Sequence, residues 1–202
     1  MKKVIPSIIV LIPVIFVSCV RSLYPVTEND SELVFKKEIL GHWIDKDSSQ
    51  YIVDTINGKN GKIYRVTILD SEKGVRDKGF SDTSYFMVCL AHIKNRFFLD
   101  CTIDMGAFKN KNIGEPTTDA ILQTHYVIPV VSIQENSIEV APLDEGKLSS
   151  LLAQEKFNLR NELIDKDNLL ITEKPLALQQ KLRELENFPV VFGNSTLFRA
   201  KN

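Results

Sequence analysis

Residues 50–69, "QYIVDTINGKNGKIYRVTIL", restrict the fold more than any other stretch of the chain. Tyr51, Val53 and Thr55 alternate with Ile52, Asp54 and Ile56, and Tyr64, Val66 and Ile68 resume the alternation against Arg65 and Thr67. Between them "NGKNG" supplies glycine and asparagine, the residues that best tolerate positive φ. Period-two alternation on both sides of such a turn predicts an antiparallel hairpin with one buried face. The pattern recurs: "SYFMVCLAHI" with "RFFLDCTID", "THYVIPVVSI" with "SIEVAPL", and a shorter pair within "NLRNELIDKDNLLIT". "STLFRA" reads as a closing strand. Pro129 cannot donate to a ladder, which predicts an edge or a bulge there.

Phe97, Leu99, Cys101 and Ile103 share the core face of their strand, and Asp100, Thr102 and Asp104 share the other. Those acids read as solvated surface charges. The partner strand is apolar on both sides, which places it centrally or beneath another element. Helices are few. Asp144 can cap a short helix carrying Leu148, Leu151 and Leu152. Pro175 opens "PLALQQKLRELENF", in which Leu178, Leu182, Leu185 and Phe188 make an apolar stripe that is expected to be core. "MGAFKNKNIGEPTT" reads as an irregular loop, and the charged loop "DSEKGVRDKGFSD" carries Phe80 as a contact candidate. The expected class is α+β, mainly antiparallel, with two or three short helices packed on the sheet.

The start, "MKKVIPSIIVLIPVIFVSC", sets Lys2 and Lys3 before fourteen largely apolar residues, Val4 to Val17. A spanning helix needs about 17–25 such residues, and Pro6 and Pro13 weaken helix propagation. A basic region, an apolar core and a small residue match a secretory signal. Phe16-Val17-Ser18-Cys19 resembles the lipobox of bacterial lipoproteins. That resemblance implies a signal peptide over 1–18 and lipidation of Cys19, with two or more acyl chains giving the stable attachment that one cannot. Phe16 departs from the usual leucine. An incidental cysteine after an ordinary signal is the alternative. Val20 is not the aspartate that retains enteric lipoproteins at the inner membrane, so the resemblance implies an outer-membrane anchor. No acidic residue precedes Glu28, which points to the periplasmic face. Residues 19–31, with Pro25, read as the lipidated cysteine and a tether, and 32–202 as a single β-rich domain.

"CVRSLYPVTENDSELVF", with "LGHW", "FFLD" and "NLLIT…LQQKL", is similar to an uncharacterised lipoprotein family common in Bacteroidota, which implies no activity. Gly41-His42-Trp43, after a short helical turn, resembles the G-x-W start of lipocalins. That implies a lipocalin-like half or full barrel, Trp43 buried at its closed end, and a cup for a small apolar ligand.

The chain holds 25 basic and 26 acidic residues without long runs of one sign. Nucleic-acid affinity rests on clustered Lys and Arg, so nucleic acid is not an expected partner. Cys89 and Cys101 flank a turn. If that turn is the three residues Lys94 to Arg96, the two face each other within disulfide reach; a two-residue turn breaks the pairing and leaves two buried thiols. His42, His92 and His125 are the only histidines, and none has a partner at metalloprotease spacing. No metal site, cofactor or catalytic set is therefore expected. There is no G-x-S-x-G elbow and no phosphate loop. The expectation is a non-enzymatic, lipid-anchored envelope module that binds a small apolar ligand or an envelope partner. A purely structural lipoprotein and an unrecognised hydrolase are the alternatives. A barrel cup of about 300 Å³ or more separates the first two, since ligand pockets start near that size.

Overall fold

A computed structural model describes residues 20–56, 61–69, 83–109, 123–164 and 168–201. Cys19, Phe80 and residues 110–122 lie outside the described residues.

Seven strands meander antiparallel in chain order: β3 (Gly41–Ile44), β4 (Gln50–Thr55), β5 (Ile63–Leu69), β6 (Thr83–Ile93), β7 (Arg96–Ile103), β8 (His125–Ile133) and β9 (Ser137–Val140). The last described strand, β12 (Ser195–Arg199), lies between β9 and β3, antiparallel to both. With β8 paired to β9, these eight strands close into a lipocalin-like barrel. The full barrel, rather than the half barrel, is what forms.

The strand β6 is two-faced, as its sequence demanded. Phe86, Val88 and Leu90 point into the barrel with Trp43, Tyr51, Val53, Tyr64, Ile68, Cys101, Ile128, Ile138 and Val140. Ala91 and Ile93 point outward, where they join Phe98 and Val127 in a second core. That outer core is covered by the insertion between β9 and β12. The insertion contains α2 (Glu145–Ala153), the hairpin β10 (Asn161–Ile164) and β11 (Asn168–Ile171), and α3 (Pro175–Glu184). Leu148, Leu178, Leu182 and Leu185 are all buried in it. A third helix, α1 (Met105–Lys109), occupies the start of the stretch expected to be irregular. Asp144 caps α2 as expected, its carboxylate accepting the Lys147 amide at 3.0 Å.

The closed end is built from the G-x-W stretch and one residue its sequence did not announce. Trp43 is fully buried and donates Nε1–H to the Ile39 carbonyl at 2.8 Å. The Arg199 guanidinium lies 4.2 Å over the indole ring. Its N–H groups donate to the carbonyls of Glu38 (2.8 Å), Leu40 (3.1 Å) and Glu135 (2.6 Å). Those carbonyls end the 3₁₀ turn Lys37–Ile39 and the β8–β9 turn. Gly41 has φ +123, and a Cβ there would meet Arg199 Nη1 at 2.7 Å. Glycine is thus required twice, for the backbone conformation and for the close approach.

Residues 20–31 are not a tether. The strand β1 (Arg21–Ser22) is inserted between β8 and β11, the short β2 (Leu33–Val34) pairs antiparallel with β6, and Val20, Arg21, Ser22 and Val26 are buried. The reason lies in β8. Its C-terminal half pairs with β9, leaving the same edge of His125 and Tyr126 open, and β1 fills it. Pro129 sits at this fork. It has no N–H to offer either neighbour, and its carbonyl accepts the Ala141 amide at 2.9 Å. A register shift between Val130 and Ser132 supplies the expected bulge.

Candidate functional site

The barrel interior is the site that a lipocalin-like reading would nominate, and it is nearly full. Its cavity is about 60 Å³, lined wholly by apolar side chains that include Ile39, Val66, Leu99 and Leu197 beside the core residues above. That is room for about two water molecules, well short of the roughly 300 Å³ at which small-molecule pockets begin. Tyr51 and Tyr64 reach inward but spend their hydroxyls locally. Tyr51 donates to Asp45 at 2.8 Å, while Tyr64 accepts the Lys36 amide at 2.7 Å and donates to the Lys36 carbonyl at 3.2 Å. Burial pushes the Tyr64 phenol above its ordinary pKa, partly offset by the Lys36 amide.

A larger recess, about 350 Å³, opens on the outside of the barrel. Segment 25–33 forms one wall, and Ile63, Met87, Cys89, Asp100, Thr102 and His125 form the floor. Asp100 organises it. One carboxylate oxygen accepts from the Val26 amide at 2.8 Å, and the other contacts His125 Nδ1 at 2.6 Å. The Val26 carbonyl in turn accepts from Gln179 Nε2 at 2.9 Å. Both backbone groups of a fully buried arm residue are therefore held by side chains, one from β7 and one from α3. Lys62 Nζ adds a bond to the Leu33 carbonyl at 2.7 Å.

Asp100 and Asp104 thus overturn their expected role as solvated charges. Both are buried, and Asp104 accepts from Arg65 Nε at 3.0 Å and the Ala107 amide at 3.1 Å. A signal was present in the sequence: Phe98 shares the face of Asp100, and a large apolar ring marks that face as covered. Nothing local announced Val26 and His125 as the partners of Asp100, or Arg65 as a partner of Asp104, because each comes from a distant element.

The disulfide that a three-residue turn would permit does not form. The β6–β7 turn is the two residues Lys94 and Asn95, so Ile93 opposes Arg96, Cys89 opposes Asp100 and Cys101 opposes Val88. A one-residue change of register sends the two sulfurs to opposite faces, Cys101 into the barrel and Cys89 to the outer recess; both are thiols. Burial, then the charges of Asp100 and Asp30, pushes the Cys89 thiol up to about 11.

The three histidines are not brought together. His42 Nε2 contacts Gln50 Oε1 at 3.0 Å, His92 stacks on Phe97 with ring centroids 4.6 Å apart, and His125 holds Asp100. Among the described residues no set of three or more His, Cys, Asp or Glu is placed to hold a metal ion. The carboxylate lies opposite Cys89 and is bonded to His125, an order unlike nucleophile, base and orienting acid. Among the described residues no helix is long and apolar enough to cross a membrane. No protein-family model, curated protein or solved structure matches the chain.

Proposed function

We propose that this chain is a lipid-anchored protein of the cell envelope, attached through Cys19 to the outer membrane on its periplasmic face. It works without catalysis, as an accessory module whose contacts with an envelope partner are made on the outside of the barrel. The filled interior carries this reading. A closed barrel with about 60 Å³ inside is a rigid scaffold rather than a cup, so recognition falls to the surface. A protonated thiol at Cys89 supports the non-enzymatic reading, since the thiolate is the nucleophilic form. The anchor rests on the lipobox-like Phe16-Val17-Ser18-Cys19 after its basic and apolar run.

A second reading has one specific observation in its favour. The outer recess, at about 350 Å³, has the size of a small-molecule pocket and a mixed lining of apolar side chains, carboxylates and a histidine. A small molecule held there would make the module a carrier.

Two measurements on the full chain expressed in a diderm bacterium test these readings. Detergent phase partition with an alkyne-fatty-acid label should place the wild type in the detergent phase with label attached, and Cys19→Ala in the aqueous phase without it. Full detergent partition of Cys19→Ala sinks the lipid anchor. Native mass spectrometry of the released protein should give the acylated polypeptide alone. A discrete additional mass lost on collisional activation replaces the scaffold reading with the carrier one.

A further inference from the structure

Because Val20 is buried and β1 is locked into the sheet, the membrane-binding sequence and the folded domain have no spacer between them. This inference rests on the anchor reading above. Whether the apolar run 4–17 stays inserted or is replaced by lipid on Cys19, the lipid phase begins within a residue or a few of Val20. A domain on a free tether samples all orientations. One held through a strand of its own sheet does not.

The topology identifies the surface that surrounds this exit point. In the parallel β1–β11 pair Arg21 lies beside Leu170, so Val20 lies beside Leu169, which pairs in turn with Leu163 of the edge strand β10. Leu163 is 65 % exposed. The Leu169 amide bonds to the Glu145 carboxylate in the first turn of α2. The residue before it, Asp144, donates its amide to the Val191 carbonyl at 2.8 Å. Val190, next in the chain, is 61 % exposed. On the other side of β1, Arg21 opposes Tyr126, and β8 continues past the Pro129 fork to Val131, also 61 % exposed. Among the described residues four large aliphatic side chains are at least 61 % exposed, Val131, Leu163, Leu176 and Val190, and the pairings and bonds above lead from β1 to three of them.

We propose that Val131, Leu163 and Val190 form a footing on the membrane surface, so that the barrel lies against the lipid in one fixed orientation. The occupant is the bilayer interface itself. Aliphatic side chains enter the interfacial zone favourably once a covalent anchor removes the cost of bringing the protein there.

The test uses the lipid-anchored full chain in vesicles of phosphatidylethanolamine and phosphatidylglycerol, with and without acyl-brominated lipid. Trp43, the single native tryptophan, is fully buried and gives the baseline. Tryptophan is placed in turn by Val131→Trp, Leu163→Trp and Val190→Trp, with Asp54→Trp as the control. Asp54 is exposed on β4, four strands from β8 in either direction round the barrel. Quenching by at least twofold at the three aliphatic sites and none at Asp54→Trp is the expected result. Sedimentation with the vesicles but no quenching at any site, or equal quenching at all four, overturns the footing and leaves the anchor standing. Failure to sediment with vesicles overturns the anchor and the footing together.

Discussion

Asp100 holds Val26, 74 positions earlier in the chain, by a 2.8 Å hydrogen bond from the Val26 amide to its carboxylate. The other oxygen of the same carboxylate is bonded to His125, so one buried acid ties the N-terminal arm to β7 and β8 together. The arm is part of the fold because its backbone polar groups have designated partners there. A buried N–H without one costs about 1–3 kcal/mol.

Asp100→Ala should therefore lower stability by about 3 kcal/mol, since it strands both the Val26 amide and the His125 ring. The urea midpoint reads the loss. Hydrogen exchange locates it: the Val26 amide should pass from slow to fast exchange while β4 and β5 amides change only with global stability. Unchanged protection at Val26 would show that the arm is held by something else.

Alkaline pH should weaken the fold through Cys89. Its thiol is raised from 9.0 to about 11 in the folded chain, so the folded state holds that proton more tightly than the unfolded state does. The contribution is intact below pH 9 and is lost as pH rises from 9 to about 11. Tyr64, also raised by burial, acts in the same direction at higher pH. Cys89→Ala should flatten the decline in melting temperature over that window. Alkylation of Cys89 in the native protein should be slow at pH 8 and accelerate only near pH 11. Rapid alkylation at pH 7 would contradict the raised pKa of this half-buried thiol.

Gly41→Ala should cost about 2 kcal/mol, because alanine is strained at φ +123 and its Cβ displaces the Arg199 guanidinium. Arg199→Lys should cost a similar amount, about 2 kcal/mol, because an ammonium cannot replace a planar fork that reaches three carbonyls while stacking on an indole. Combining Gly41→Ala with Arg199→Ala should be clearly less than additive, as the second change removes the collision created by the first. Full additivity in a double-mutant cycle would separate the two residues.

Acid should act on Asp144. Its carboxyl is held below its ordinary value of 3.8, chiefly by the Lys147 amide it caps. The cap is therefore present at neutral pH and is lost as pH falls through that depressed value. Asp144→Ala should cost about 1 kcal/mol at pH 7, and that cost should shrink as pH falls below 3.8, as read from urea midpoints across that range.

Much of the barrel was legible from the chain. Alternation and turn residues placed the hairpins, the apolar stripe Leu178–Leu182–Leu185 placed α3, and Asp144 placed the start of α2. What escaped was set by contacts between distant elements. The turn at Lys94 and Asn95 is one residue shorter than the disulfide required, and no local pattern distinguishes the two lengths. The arm around Val20–Val26 looked like a linker because its polar residues and Pro25 describe its own composition. Its burial is decided by the open edge of β8 above Pro129. Of the candidate site, Cys89 was visible as a residue, while the Asp100–His125–Val26 cluster depended on β7, β8 and the N-terminal arm meeting.

The barrel is a ring whose clasp comes late. Leu40 and Arg199, joined at the closed end, stand 159 positions apart, and the whole helical insertion is threaded before β12 can dock. Loop closure over such a span precedes the contacts that reward it. Until Ser195–Arg199 arrives, β3 and β9 both offer bare strand edges, the kind of surface that recruits neighbouring chains. A nascent or clipped chain lacking those five residues would carry nearly every hydrophobic element of the mature protein and no closed sheet. Safe passage of this protein through the cell thus depends on shielding those two edges until its C-terminal strand is delivered.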